Sequence, residues 1–366
     1  MFTFFIGLII GTSALIADTS PISVEVRPGK VYIATSDSGQ HLNFDFLLRN
    51  TSDQKVMINK VELSVFDAAD KLAWRDFYDE YGRPSLELTR NPSLAPKGTA
   101  LFYNPFHTLP KDIPLERLKF EFSFSTEDRL KTYSAVIEVK PVSFVQNTDL
   151  ILPLKGRVLV WDGYDYNSHH RRVDYTQNFF EQIGQKTNFQ RYAIDFVIVD
   201  EAGQHYRGRT RTNNDWYRNR PDEMTEYLSY GVPVFAAGAG KVVAVRDDSE
   251  DRKFDPKALA SDERAFYGNY VVIDHLNGEF SLYGHIKKGS ALVKAGNTVK
   301  QGVQIASVGA AGSSLFPHLH FELRDGSGAR TVEGLPSYFS NYKRILGSST
   351  KSVKRGSINT GEIVTR

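Results

Sequence analysis

The chain has 366 residues, more than the usual single domain and enough for two, each able to bury a full core. Its 45 Lys and Arg against 43 Asp and Glu give no electrostatic case for nucleic acid or for a polybasic membrane surface. Cysteine is absent, which excludes disulfides, thiolate metal sites, a cysteine nucleophile and lipidation of an N-terminal cysteine.

Phe2 to Ala17 form an apolar run that ends where Asp18-Thr19-Ser20 turns polar. This reads as a signal peptide over residues 1–17, cleaved after Ala17, although it lacks a basic leading segment. An uncleaved anchor is the alternative, but the run is shorter than the roughly 20 residues that span a bilayer. Export of a cysteine-free protein implies domains held by their cores alone, and a secreted or periplasmic protein of the bacterial envelope is the simplest fit.

From Ile22 to Val145 the pattern is of period two. Leu42, Phe44, Phe46 and Leu48 alternate with Asn43 and Asp45, and Leu118, Phe120, Phe122 and Phe124 alternate with Lys119, Glu121 and Ser123. Such runs predict half-buried antiparallel strands, and residues 18–150 are expected to form an immunoglobulin-like β-sandwich. The turn-rich stretch Arg90 to Gly98 separates its two groups of strands. His41 and His107 lie here and receive no role, and the sandwich is read as an accessory unit for spacing, for docking an envelope partner or for covering a cleft.

A second β-rich region, residues 151–346, begins near Lys155 to Val160. Tyr192 to Val199 is an apolar strand interrupted by Asp195, and Gly240 to Val245 is another strand. Tyr270 to Leu276 and Glu279 to Ile286 flank Asn277-Gly278, the pair that a type I′ hairpin turn requires. Glu201 to Tyr230 has no clean periodicity and is expected as a surface excursion, of the kind that lines clefts. Residues 347–366 are rich in Ser, Gly, Thr and Lys and are expected to be a disordered tail.

His318-Leu319-His320 stands after the Gly309 to Gly312 turn and before Phe321-Glu322-Leu323. Side chains two apart on a strand share a face, so both imidazoles converge on one point while Leu319, Phe321 and Leu323 pack behind them. The same alternation describes any half-buried strand, so the pair alone does not decide between a metal site and a polar face. Asp195 inside an apolar strand wants a cation, either a metal or an arginine such as Arg191 or Arg207.

Five segments in order carry a resemblance: Val232 to Val243, Tyr267 to His275, Leu282 to Ile286, Gly296 to Gly302, and Val308-Gly309 through His318 to Glu322. Over about Arg191 to Leu323 they resemble the lysostaphin-type (LytM-type) zinc metallopeptidases. The resemblance implies an antiparallel β duplicated hybrid motif whose groove holds a zinc ion and cleaves peptide bonds in peptidoglycan. It implies Asp195 and His320 as zinc ligands, with His285 and His318 flanking the water that the metal activates. Glu322, on the same strand face as the histidines, is a candidate to orient one of them, against the plainer reading of a surface carboxylate.

One departure matters. The family's first ligand is a histidine four positions before the aspartate, and Arg191, which offers no lone pair, stands there. His169 or His170, in Asn167 to Arg172, is proposed as the replacement; His205 is a second substitute, and His275 is read as a surface residue of the hairpin. The expected function is thus an exported zinc endopeptidase acting on peptidoglycan peptides, with no membrane span after signal cleavage. Its competitor is an inactive module of the same fold that binds or regulates cell-wall hydrolases.

Overall fold

The computed structural model describes residues 20–80, 93–207 and 223–366, so the signal-peptide reading and parts of two loops fall outside the described residues. The structure is mostly β and contains two large apolar cores. No helix among the described residues is long and apolar enough to cross a membrane.

In the first half, Ile22–Arg27, Asp45–Asn50 and Thr99–Tyr103 form one antiparallel sheet. Thr132–Val139, Arg117–Thr126, Val56–Phe66 and Leu72–Asp79 form a second, extended by the short Ser93–Leu94 strand. The inward-pointing members of the period-two runs meet between these sheets: the ring of Phe46 lies 4.9 Å from that of Phe120 and 5.0 Å from that of Phe122, edge to face. Each such buried aromatic contributes roughly 1.5–3 kcal/mol.

The expectation of half-buried strands fails along Leu42 to Leu48. Asn43 and Asp45, which alternation points away from this core, are 3% and 0% exposed, because the second half of the chain covers that face. Leu47, Leu101 and Tyr103 pack there against Tyr166, Tyr175 and Phe180.

The second half is built on a large antiparallel sheet. Its strands run in the order Thr298–Val299, Gly240–Arg246, Tyr270–Asp274, Phe280–Gly284, Leu319–Arg324, Ile194–Ile198, Val158–Asp162, Ile363–Thr365, Phe339–Leu346 and Ser349–Gly356. The Tyr270–Asp274 and Phe280–Gly284 hairpin forms as predicted, but not through a two-residue turn. His275 N–H bonds Glu279 O, and positive φ falls at Leu276 and Gly278, while the Asn277 side chain accepts from Glu279 N–H.

The C-terminal segment is ordered, contrary to the disordered tail expected for 347–366. Ser349–Gly356 pairs with Phe339–Leu346, and Ile363–Thr365 sits between that strand and Val158–Asp162. Composition misleads here because few apolar side chains are needed to dock a short strand between partners already in place: Val364 within the strand is 0% exposed, and Ile358 in the segment leading to it is 1% exposed. The Lys and Arg of Ser349–Gly356 suit an edge strand, where charge discourages further pairing.

Candidate metal centre

Three neighbouring strands set the site. In the sheet register His320 stands opposite Asp195 on one side and opposite Gly284 on the other. Direct cross-strand partners have close Cβ atoms, so Oδ1 of Asp195 comes within 2.9 Å of Nδ1 of His320. His318, two residues earlier, brings its Nε2 to 3.5 Å from the same oxygen.

His170 arrives from a different kind of element. It lies in the loop between Val158–Asp162 and the short helix Asn178–Gln182, is 1% exposed, and places Nε2 3.5 Å from Oδ1 of Asp195. The donor atoms of His170, Asp195 and His320 all lie within 4.8 Å of one another. His169 points elsewhere: its side chain is 69% exposed, with Nδ1 2.7 Å from Oδ2 of Asp162. The same oxygen lies 3.1 Å from Nδ1 of His170.

His285 follows the Phe280–Gly284 strand at a positive φ of 59°, uncommon for a residue with a side chain and characteristic of functional sites. Its backbone is pinned on both sides, by His285 N–H to Tyr267 O and Gly309 N–H to His285 O, each 3.0 Å. Its Nδ1 lies 2.7 Å from Ala311 O, and Nδ1 of His318 lies 2.8 Å from Phe316 O. A carbonyl only accepts, so both rings carry their proton on Nδ1 and keep a lone pair on Nε2. The two rings are 4.8 Å apart.

Behind His320, Nε2 meets Oε1 of Glu322 at 2.8 Å. That carboxylate, 1% exposed, also accepts from Tyr267 O–H at 2.7 Å and from Arg324 at 3.1 Å. It is a buried partner of a histidine, not the surface carboxylate that was the plainer reading.

Charge in the site follows from these contacts. Burial resists a proton on His320, but Asp195 and Glu322 together outweigh it and raise its pKa to about 9. Burial would raise Asp195, yet the surrounding imidazoles hold it well below the ordinary carboxylate range. Burial pushes His170, His285 and His318 below the usual histidine value, the first two strongly.

The donor set fits a divalent metal. Two imidazole nitrogens and a carboxylate oxygen, with metal bonds of about 2.0–2.1 Å, stand roughly 3.3 Å apart around a tetrahedral ion, and the observed 2.9 and 3.5 Å bracket that spacing. Asp195 is buried among imidazoles with neither of the arginines considered for it: Arg191 is bound to Asp45 and Glu333 instead. The fourth side opens to a cleft of about 580 Å³ lined by Trp161, Phe180, Phe266, Leu315 and Phe316.

The other histidines lie apart from this set. His205 packs on Trp161 and Phe316 at the cleft wall. His275, expected on the hairpin surface, is 8% exposed and is bonded to Ala239 O and Ser281 Oγ, because the loop folds back onto Ala239. His41 is buried against Ser36 and Thr108. Asp162, Tyr267 and Arg324 were not singled out from the sequence; Asp162 ends a strand beside the ligand loop, and that adjacency was the available signal.

Residues 226–332 match the sequence profile described as Peptidase family M23, and the chain carries a domain of that kind there. The match takes in His285, His318 and His320 and begins after Asp195 and His170. Two relatives from Vibrio cholerae are similar: the peptidoglycan DD-endopeptidase ShyB is 39% identical over 149 residues, 40% of this chain and 30% of its own length. The peptidoglycan DD-endopeptidase ShyC is 33% identical over 166 residues, 44% of this chain and 33% of its own. The murein hydrolase activator EnvC of Escherichia coli is 37% identical over 86 residues, 23% of this chain and 20% of its own. The chain thus spans a third or less of each of these relatives. Among solved structures, the catalytic domain of lysostaphin from Staphylococcus simulans is 17% identical with a TM-score of 0.26, over 49% of this chain and 88% of that one.

Proposed function

We propose that this protein is an exported zinc endopeptidase that hydrolyses peptide bonds in peptidoglycan, with His170, Asp195 and His320 as metal ligands and His285 and His318 as the proton-handling pair. The observation that carries the reading is the convergence of two imidazoles and one carboxylate beside two further imidazoles that have no ligand role to fill. The two Vibrio cholerae relatives are named as endopeptidases of the same polymer, which supports the substrate class.

A zinc ion held there would supply Lewis acidity, lowering the pKa of water to about 7 and polarising a carbonyl. The remaining work falls to the chain. His285 and His318 are neutral at pH 7, since burial lowers both, and their Nδ1–H groups are anchored on Ala311 O and Phe316 O. Nε2 of either ring can therefore accept the proton of an attacking water and return it to the leaving amine. General acid–base transfer of this kind contributes about 10² to 10⁴ in rate. The aromatic wall of Trp161, Phe180, Phe266 and Phe316 offers apolar surface to a peptide lying in the cleft and limits water around it.

A regulatory module is the second reading, favoured by the similarity to a relative named as a hydrolase activator. The metal content of the purified chain separates the two. The proposal expects about one zinc per chain and release of peptide fragments from purified peptidoglycan, abolished by chelator and restored by zinc. Metal-free protein from chelator-free preparation would sink it.

A further inference from the structure

We infer that the N-terminal half completes the metal site: Asp45 is a positioning residue that acts through Arg171 on His170. The inference rests on His170 being a ligand, as proposed above, and concerns what holds it in place.

The three ligands are not equally constrained. Asp195 and His320 sit on paired strands whose ladder fixes them, but His170 lies in a stretch without helix or strand, from Gly163 to Gln177. A ligand delivered by a loop needs support from elsewhere to keep its geometry. The next residue provides it. Arg171 is fully buried, and its guanidinium is received by three consecutive residues of the N-terminal half: Nε by Asn43 Oδ1 at 3.2 Å, Nη2 by Phe44 O at 2.6 Å and Nη1 by Asp45 Oδ1 at 2.5 Å. Tyr103 of the same sheet donates to Arg172 O at 2.8 Å. From the other side Asn188 holds the carbonyls of both His170 and Arg171, at 3.0 and 3.1 Å.

The second oxygen of Asp45 is engaged too. It takes Nη1 of Arg191 at 2.6 Å, four residues before Asp195. A single fully buried carboxylate therefore ties the loop that carries one ligand to the segment that leads into another. Arg191, which occupies the position where the resemblance places a histidine ligand, works here as the anchor of that arrangement. The planar fork of arginine suits such a junction, since it fixes direction as well as charge.

The test is zinc affinity of the full-length chain, measured by chelator competition, with the visible spectrum of the cobalt-substituted protein as a report of ligand geometry. Arg171→Gln is expected to keep cooperative melting, to weaken zinc about 10–100-fold and to change the cobalt spectrum. Arg171→Lys, which keeps the charge but not the fork, should fall between it and the unaltered protein. Tyr338→Phe removes another bond between the halves, Thr35 N–H to Tyr338 Oη at 2.8 Å, and should affect stability without touching the metal. Should Arg171→Gln fail to melt cooperatively, Asn43→Ala carries the same expectation at smaller size. An unaltered protein that binds zinc beside variants that bind it equally well would overturn the positioning role alone. An unaltered protein that binds none would overturn the ligand assignment and this inference with it.

Discussion

Glu322 and His320 share one face of one strand, and Oε1 of the first lies 2.8 Å from Nε2 of the second while Nδ1 of the same ring turns to Asp195. One imidazole is thus held between two buried carboxylates. In the metal-free protein that arrangement favours a proton, and its pKa rises to about 9. A metal held by the proposed ligands would take the place of that proton on the Asp195 side, and Glu322 would go on accepting from the far nitrogen and fix the ring's tautomer. Tyr267 and Arg324 in turn hold Glu322, so the His320 ring is oriented by a chain of bonds that reaches the Ala265–Tyr267 turn and the end of its own strand.

Glu322→Gln should therefore weaken metal binding about 10–100-fold while leaving the three ligands in place. An amide can still accept from His320 but no longer carries the charge that Arg324 neutralises, so a modest loss of stability accompanies it. Zinc affinity and a denaturant melt measured on the same preparation check both parts. Unchanged affinity would show that the bond to Glu322 is structural only.

The two adjacent histidines separate cleanly. His170→Ala should lose the metal, and His169→Ala should keep it, because only His170 lies with Asp195 and His320. His169 is largely exposed and faces Asp162, so its loss should alter stability by no more than about 1 kcal/mol. Zinc content after dialysis against a buffer without metal decides between them.

How far the sequence reached is clear from these residues. Strand periodicity is local, so period two put His318 and His320 on one face and made Asp195 conspicuous inside an apolar run, but only the family resemblance joined the three into one site, and the structure brings them together. The choice between His169 and His170 was not legible, since neighbouring residues in a loop have no periodicity to say which side chain turns inward. Asp45 was hidden for a different reason. Alternation marked it as the outward side of its strand, and the surface that buries it is supplied by Arg171 and Arg191, more than a hundred residues later. The ordered C-terminus failed on composition, because docking depended on free edges that only the assembled sheet presents.

Acid should loosen the seam between the halves. His107 lies near that seam, where burial first, then the charges of Arg171 and His41, push its pKa down to about 3. From its ordinary 6.5 down to that value the unfolded chain takes up a proton that the folded chain refuses, so the stability contributed above pH 6.5 is lost progressively as pH falls. The loss reaches at most about 2 kcal/mol by pH 5, less to the extent that solvent reaches the ring. Thermal melts between pH 7 and 5 should show it, and His107→Gln should flatten the slope; an equally steep slope in the variant would assign the loss to other groups.

Gly268 and Gly312 cross backbone to backbone, both at positive φ, and a Cβ built on Gly268 would stand 2.1 Å from Gly312 N. The crossing has a functional side. It presses the Gly309–Ser313 turn against the Tyr267–Asn269 segment, and Ala311 O on that turn is what receives Nδ1–H of His285. His285 itself is held at positive φ by Tyr267 O, one residue from the crossing. Gly268→Ala pays twice, about 1–3 kcal/mol for a side chain at φ 61° and ψ −93°, a sparsely populated backbone conformation, and more for the clash, which only separation of the two segments can relieve. That separation withdraws the carbonyl that sets the tautomer of His285; His170 and Asp195 stand on elements away from the crossing, and His320 is reached from it only through Tyr267, whose hydroxyl bonds Glu322. The variant is expected to lose stability by more than about 2 kcal/mol, to weaken metal binding no more than Glu322→Gln does, and to lose turnover toward the level of His285→Ala, itself about 10² to 10⁴ below the unaltered protein. Metal lost in step with turnover would place the damage at the ligands instead.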